Sequence, residues 1–203
     1  MSDVISFSLN GQLVEAQGGE TIWQVATRLG IEIPHLCYSP GVDYRADGNC
    51  RACMVEIEGE RVLAASCIRS PSEGMVVNSS SNRARTARKM VFEMLTADQP
   101  ARETSHDPDS KFWNWASDTG VTNSRLPQRL SPELDQSHTA MRVNLDACIH
   151  CNLCVRACRE VQVNDVIGMA YRGHDAKIVF DFDDPMGDST CVACGECVQA
   201  CPT

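Results

Sequence analysis

The feature that most constrains this chain is its cysteine content, twelve residues in 203, and above all their spacing. They fall into three groups of four with none left over: Cys37, Cys50, Cys53 and Cys67; Cys148, Cys151, Cys154 and Cys158; Cys191, Cys194, Cys197 and Cys201. In an exported chain such a density would suggest disulfides, whereas in a reducing compartment it points to metal. The start, Met1-Ser2-Asp3-Val4-Ile5-Ser6, lacks a basic region followed by an apolar stretch. No apolar run approaches the roughly 20 residues needed to span a bilayer. The expected location is therefore the cytoplasm. A formal charge of −9 argues against nucleic acid or an anionic membrane surface as partner. An apolar share of 43% is enough for packed cores.

The second and third groups each read C-x2-C-x2-C-x3-C, and the third continues into Pro202. In this pattern three closely spaced thiolates wrap three corners of a [4Fe–4S] cubane, and the fourth is carried away to ligate the neighbouring cluster. One cluster is thus assigned to Cys148, Cys151, Cys154 and Cys201, the other to Cys158, Cys191, Cys194 and Cys197. Zinc knuckles would need four ligands per pair and do not explain four cysteines packed into eleven residues. The first group reads C-x12-C-x2-C-x13-C, looser than the C-x4-C opening of plant-type ferredoxins. Gly41, Gly48 and the polar Asp47-Gly48-Asn49 run still let the backbone approach sulfide and aim N–H groups at it. Cys37, Cys50, Cys53 and Cys67 are therefore assigned to a [2Fe–2S] cluster, with a zinc ribbon as the alternative.

The fold class expected is α+β. Residues 1–78 read as a β-grasp [2Fe–2S] ferredoxin domain. Ile5, Phe7 and Leu9 alternate as a half-buried strand, Asn10-Gly11 is a two-residue hairpin turn, and Leu13 to Glu15 return. Thr21 and Gln24 form a capping box for a helix whose buried face is Ile22, Val25, Ala26 and Leu29, ending at Gly30. Val55 and Ile57 form a strand that turns at Gly59 and returns through Val62 and Leu63, with Met75 to Val77 as the last strand. Residues 79–140 read as a helix over Asn82 to Thr96, with Ala84, Ala87, Val91 and Met94 inward and Arg83, Arg85, Arg88 and Lys89 solvated, and then an irregular linker. Pro100, Pro108, Pro127 and Pro132 break that linker, and Phe112, Trp113 and Trp115 anchor a short helix within it. Residues 141–203 read as a two-cluster [4Fe–4S] ferredoxin-type domain, with strands over Val166 to Tyr171 and Lys177 to Phe182 joined by a turn at 172–175. His35, His138, His150 and His174 are read as structural, His150 either facing outward or tuning a cluster.

Pro34-His35-Leu36-Cys37-Tyr38 and Gly48-Asn49-Cys50-Arg51-Ala52-Cys53-Met54-Val55-Glu56 resemble the N-terminal ferredoxin region of one group of proteins. The group comprises the large iron–sulfur subunit of respiratory NADH dehydrogenase, the diaphorase part of NAD-reducing hydrogenases, and the α subunit of soluble NAD-dependent formate dehydrogenases. The resemblance covers the whole chain. The first two of these usually carry an additional [4Fe–4S] cluster held by one histidine and three cysteines. Here His106 stands in about the right place, but no cysteine follows it until Cys148. The expectation is that this cluster is lost and that His106-Asp107-Pro108-Asp109 is a capped surface turn. That loss resembles the molybdenum- or tungsten-containing formate dehydrogenase, as do the runs 154–160, 162–168 and 189–203.

The formate dehydrogenase resemblance implies an iron–sulfur relay carrying electrons from formate oxidation at a Mo/W-bis-molybdopterin guanine dinucleotide centre toward flavin- and iron–sulfur-bearing subunits that reduce NAD. It also implies a further [4Fe–4S] cluster and a catalytic domain beyond Thr203. Residues 1–203 are read as the N-terminal part of such a subunit, without a catalytic residue of their own. A diaphorase subunit of an NAD-coupled hydrogenase or NADH dehydrogenase-like complex, and a free-standing polyferredoxin carrier, are the alternatives.

Overall fold

The structure, a computed structural model, describes residues 4–41, 44–130 and 132–203. The first unit is a five-stranded mixed sheet crossed by one helix. Its elements are β1 (Ile5–Leu9), β2 (Gln12–Ala16), α1 (Ile22–Arg28), β3 (Met54–Ile57), β4 (Ala64–Ala65) and β5 (Val76–Asn78), and its strand order is β2-β1-β5-β3-β4. β1 and β5 are parallel, and the other pairs are antiparallel. Asn10 (φ 52°) and Gly11 (φ 83°) take the two left-handed positions that a tight hairpin needs between right-twisting strands. The capping box at Thr21 is formed: its hydroxyl accepts from the Gln24 amide, and the Gln24 side chain accepts from the Thr21 amide at 2.8 Å. Phe7, Leu9, Val55, Ile57 and Val77 bury against Ile22, Val25 and Ala26. Each large side chain so buried contributes about 1.5–3 kcal/mol.

Two local expectations fail here, both because an element ends earlier or starts later than its pattern implies. Leu29 is the C-cap of α1 and lies exposed; Trp23 is buried in its stead, its indole N–H donating to the Ile33 carbonyl at 3.1 Å. The return from β3 begins at Ala64, leaving Val62 exposed in the turn.

The middle segment is a packed layer. α2 (Asn82–Thr96) is capped by the Ser81 side chain, and α3 (Lys111–Asp118) by that of Ser110. The buried face of α2 is Ala84, Arg88, Phe92 and Thr96: Ala84 faces inward as expected, the rest of the stripe moves from Ala87, Val91 and Met94 to Arg88, Phe92 and Thr96, and Met94 is exposed. α2 packs on β3 and α3, and these neighbours select the face that reaches Phe112. Arg88 is buried because its guanidinium finds the Ser79 carbonyl while its stem fills space beside Ala84 and Phe92. Phe112 and Trp113 are packing anchors, with Ala116 and Val121.

The last unit holds α4 (Leu153–Arg156), a single π turn at Ala157–Val161, the hairpin β6 (Ile167–Ala170) and β7 (Lys177–Phe180), and α5 (Glu196–Ala200). Hydrogen bonds tie the middle layer to it. The Phe112 amide donates to the Pro202 carbonyl at 3.0 Å, and the Gln99 side chain donates to the Ala147 carbonyl at 2.8 Å. A central core runs through all three regions, from Leu36, Cys37 and Ala52 across Phe92 and Phe112 to Cys151, Leu153 and Ala200. Among the described residues no helix is long and apolar enough to cross a membrane.

Candidate metal centres

The β3–β4 hairpin returns Cys67 to Cys53, and their sulfurs stand 3.4 Å apart. On the other side of the site the Cys37 and Cys50 backbones clasp one another. The Cys50 amide points at the Cys37 sulfur (3.3 Å) and the Cys37 amide at the Cys50 sulfur (3.5 Å), while the Ala52 amide adds a third contact to Cys50 at 3.4 Å. Gly48, at φ 66°, approaches Ile68 so closely that a Cβ there would come within 2.9 Å of its Cδ1. Cys37, Cys53 and Cys67 are buried and Cys50 is half-buried. Cys50 is pushed down to about 6, because the Cys37 thiol and the Cys37, Ala52 and Leu36 amides donate to it; Cys37 is raised in consequence. Cys53 is lowered by the Cys67 thiol, and Cys67 is raised. Aimed N–H groups favour the thiolate, which is the ligating form.

The two later runs share one backbone design. In 148–154 the residues in left-handed conformation are His150 (φ 53°) and Asn152 (φ 64°); in 191–197 they are Ala193 (φ 56°) and Gly195 (φ 78°), the same two positions. The bend lets the amide two residues on donate back to the first sulfur, His150 to Cys148 and Ala193 to Cys191, as Ala52 does to Cys50. Asn152 and Gly195 then open α4 and α5, which carry Cys154 and Cys197.

The fourth cysteine of each run faces the other run's triplet. Cys201 is the neighbouring thiol that weighs most on Cys151, and it also bears on Cys148 and Cys154. Cys158, buried on the π turn and accepting from the Val166 amide at 3.4 Å, bears on Cys197 together with Cys194 and Cys191. A cavity of about 420 Å³ opens among Cys148, Cys151, Cys154, Cys197 and Cys201. Burial pushes Cys151 up to about 12, Cys197 up to about 11 and Cys154 well above its ordinary value, and facing thiols add to each shift. Such a set resists ionising until cationic metal arrives, which fits the residues to an iron–sulfur cluster. None of the twelve is in a disulfide. Among the described residues no three His, Cys, Asp or Glu side chains close around a single ion.

The histidines lie off these sulfur sets in different ways. His35 is wedged between Trp23 (ring centroids 4.5 Å apart) and Trp115 (6.2 Å), where burial lowers it to about 4. His150 turns its Nε2 to the Arg129 guanidinium at 3.1 Å. His106 is exposed and, with Asp107, lines the rim of the 420 Å³ cavity; the Asp107 carboxylate accepts from the Asp109 amide, closing a surface turn. Three residues not singled out from the sequence stand between the first sulfur set and the dicluster unit. Lys111 at the start of α3 reaches the Tyr38 carbonyl at 3.5 Å; burial lowers it to about 8, opposed by the Cys50, Cys151 and Cys37 sulfurs. Arg156 and Tyr44 join the two units directly. A positive charge inside a cysteine run was the available signal for Arg156.

Fold and site together define an iron–sulfur protein made of a [2Fe–2S] ferredoxin domain followed by a [4Fe–4S] dicluster domain. Residues 2–82 match the 2Fe-2S iron-sulfur cluster binding domain family, and residues 147–203 match the 4Fe-4S dicluster domain family. The chain is 31% identical, over 98% of its length, to the NADP-reducing hydrogenase subunit HndD of Solidesulfovibrio fructosivorans, and covers 35% of it. It is 31% identical over 86% of its length to the mitochondrial 78 kDa subunit of NADH-ubiquinone oxidoreductase from Candida albicans, covering 25%. It is also 30% identical over 94% of its length to YrhE of Bacillus subtilis, described as a candidate formate dehydrogenase, covering 20%. It therefore spans about a third or less of these curated relatives. A chain in the crystal structure of an NAD+-reducing [NiFe]-hydrogenase superposes with a TM-score of 0.85 at 26% identity, over 98% of this chain and 85% of that one. The similarities are to oxidoreductase subunits.

Proposed function

We propose that the chain is the iron–sulfur electron relay of an NAD-linked oxidoreductase, and specifically of an NAD-dependent formate dehydrogenase. Cys37, Cys50, Cys53 and Cys67 would hold a [2Fe–2S] cluster. Cys148, Cys151, Cys154 and Cys201 would hold one [4Fe–4S] cluster, and Cys158, Cys191, Cys194 and Cys197 the second. When bound, these clusters supply one-electron donor and acceptor sites. The residues of this chain hold the sites in series, exclude water from the first, and aim amides at the sulfurs, which tunes the potentials. On this reading formate is oxidised at a molybdenum or tungsten pterin centre carried outside residues 1–203. Flavin and NAD belong to partner subunits, in the cytoplasm.

The observation that carries the formate reading is the stretch after His106, which offers no cysteine before Cys148 and so cannot complete a histidine-plus-three-cysteine cluster. The second reading, a diaphorase subunit of an NAD-coupled hydrogenase, is favoured by the superposition on a hydrogenase chain of similar length. Iron and acid-labile sulfide in anaerobically prepared protein test the relay: ten of each per chain are expected, the content of one [2Fe–2S] and two [4Fe–4S] clusters. Fourteen would mean a fourth cluster held by ligands other than cysteine and would move the hydrogenase reading ahead. Stoichiometric zinc with little iron would end the relay reading. Formate-dependent against hydrogen-dependent NAD reduction by the native complex, with molybdenum and tungsten measured alongside, separates the two sources of electrons.

A further inference from the structure

Twelve residues separate Cys37 from Cys50, far more than a four-thiolate site requires. Among its described residues, Tyr44, Arg45 and Asp47 lie against the dicluster unit. Arg156, 4% exposed, projects from the end of α4 between Cys154 and Cys158. One guanidinium nitrogen donates to the Cys37 carbonyl at 2.6 Å, a second donates to the Arg45 carbonyl, and Nε stands 3.1 Å from the Asp47 carboxylate. At the loop's edge the Tyr44 hydroxyl donates to Glu196 at 2.8 Å, next to Cys197. The Arg45 side chain reaches Glu160 at 3.2 Å, two residues past Cys158.

We propose that Arg156 is the positioning residue that sets the distance between the first cluster site and the dicluster unit, and that the long Cys37–Cys50 loop is the docking arm it grips. The proposal rests on the cluster-holding reading above. Arg156 is two bonded neighbours from a thiol on either side, and it holds the carbonyl of a third. The planar fork matters, because its two terminal nitrogens meet two carbonyls at once while its charge faces the Asp47 carboxylate, with Nε itself making no hydrogen bond, which a lysine ammonium on a flexible stem does not reproduce. A buried guanidinium is costly to leave without its facing carboxylate, so the Asp47 charge holds the loop against Arg156. Electron exchange between the units depends on this docking.

The test compares metal-loaded wild-type protein with Arg156→Met, Arg156→Lys and Tyr44→Phe. Two readouts are taken on each: the relaxation enhancement that the [4Fe–4S] spins impose on the reduced [2Fe–2S] signal, and amide hydrogen exchange over residues 44–49. Arg156→Met is expected to retain ten irons, weaken the relaxation enhancement at least fivefold and speed loop exchange at least tenfold. Arg156→Lys behaves like Arg156→Met, and Tyr44→Phe shifts both readouts by no more than threefold. Relaxation and exchange within twofold of wild type in Arg156→Met at full iron content would overturn the proposal. If Arg156→Met assembles fewer than ten irons, Arg156→Lys and Asp47→Asn carry the same comparison, and wild-type behaviour in both overturns it. Failure of the relay reading is separate, since it is read from the iron content of the wild-type protein alone.

Discussion

At the scale of single residues, the cysteines and their grouping were legible because ligand spacing is a local property of the chain. Lys111 was not, because its meaning depends on α3 bringing it between sulfurs far away in sequence. It is partly buried, lowered to about 8, and hence positively charged at pH 7. A cation beside a cluster stabilises the reduced, more negative state and so raises its potential. Lys111→Met is expected to lower the midpoint potential of the cluster on Cys37 and Cys50, and of that on Cys151, by on the order of 50 mV. Redox titration followed by EPR checks this. Unchanged potentials for both would remove Lys111 from the electrostatics of the relay. The same dependence on remote partners hid Arg88 and Arg156, whose sequence pattern is that of solvated arginines and whose carbonyl partners lie elsewhere in the fold.

At the scale of elements, local signals gave the pieces and missed the faces. Asn10-Gly11, the Thr21–Gln24 box and both dicluster runs are written in adjacent residues. The inward stripe of α2 is decided by what packs on it, and so starts at Ala84 as periodicity put it but then drifts to Arg88, Phe92 and Thr96. The matched left-handed positions of the two runs were legible only in part: Asn, Gly and His take positive φ more readily than most residues, but nothing local requires His150 and Ala193 to adopt it. They do so because each bend turns an amide back toward a sulfur, a constraint imposed by the site. Gly195 isolates the backbone cost, since a Cβ there would meet nothing within 4 Å while φ stays at 78°. Gly195→Ala is expected to destabilise the protein by about 1 kcal/mol through conformation alone. Ala193→Gly, the opposite exchange at a neighbouring left-handed position, should not destabilise it. Thermal melts of the two variants check the pair, and equal effects would mean that the backbone bends are not strained.

At the scale of the whole molecule, the order of the three sulfur sets is what makes a relay of them, and it can be tested by breaking the sets one at a time. The first set abuts the second, since Cys50 bears on Cys151 and both belong to the central core. Of the third set, Cys191 and Cys197 pack against the outer core of Cys158, Val166 and Phe180, which Cys148 and Cys154 also border. Because the fourth ligands cross over, a substitution in one run should damage the cluster centred on the other. Cys201→Ser, although it alters the last run, is expected to disable the cluster on Cys148, Cys151 and Cys154, adjacent to the [2Fe–2S] site. Cys158→Ser is expected to disable the distant one. The intact [2Fe–2S] signal reports which has been lost: its relaxation enhancement should fall several-fold in Cys201→Ser and stay near wild type in Cys158→Ser. Uncrossed ligation predicts the reverse, because each run would then keep its own fourth thiolate. The result therefore decides both the ligand assignment and whether the middle cluster site is the step between the ferredoxin unit and the far end of the chain.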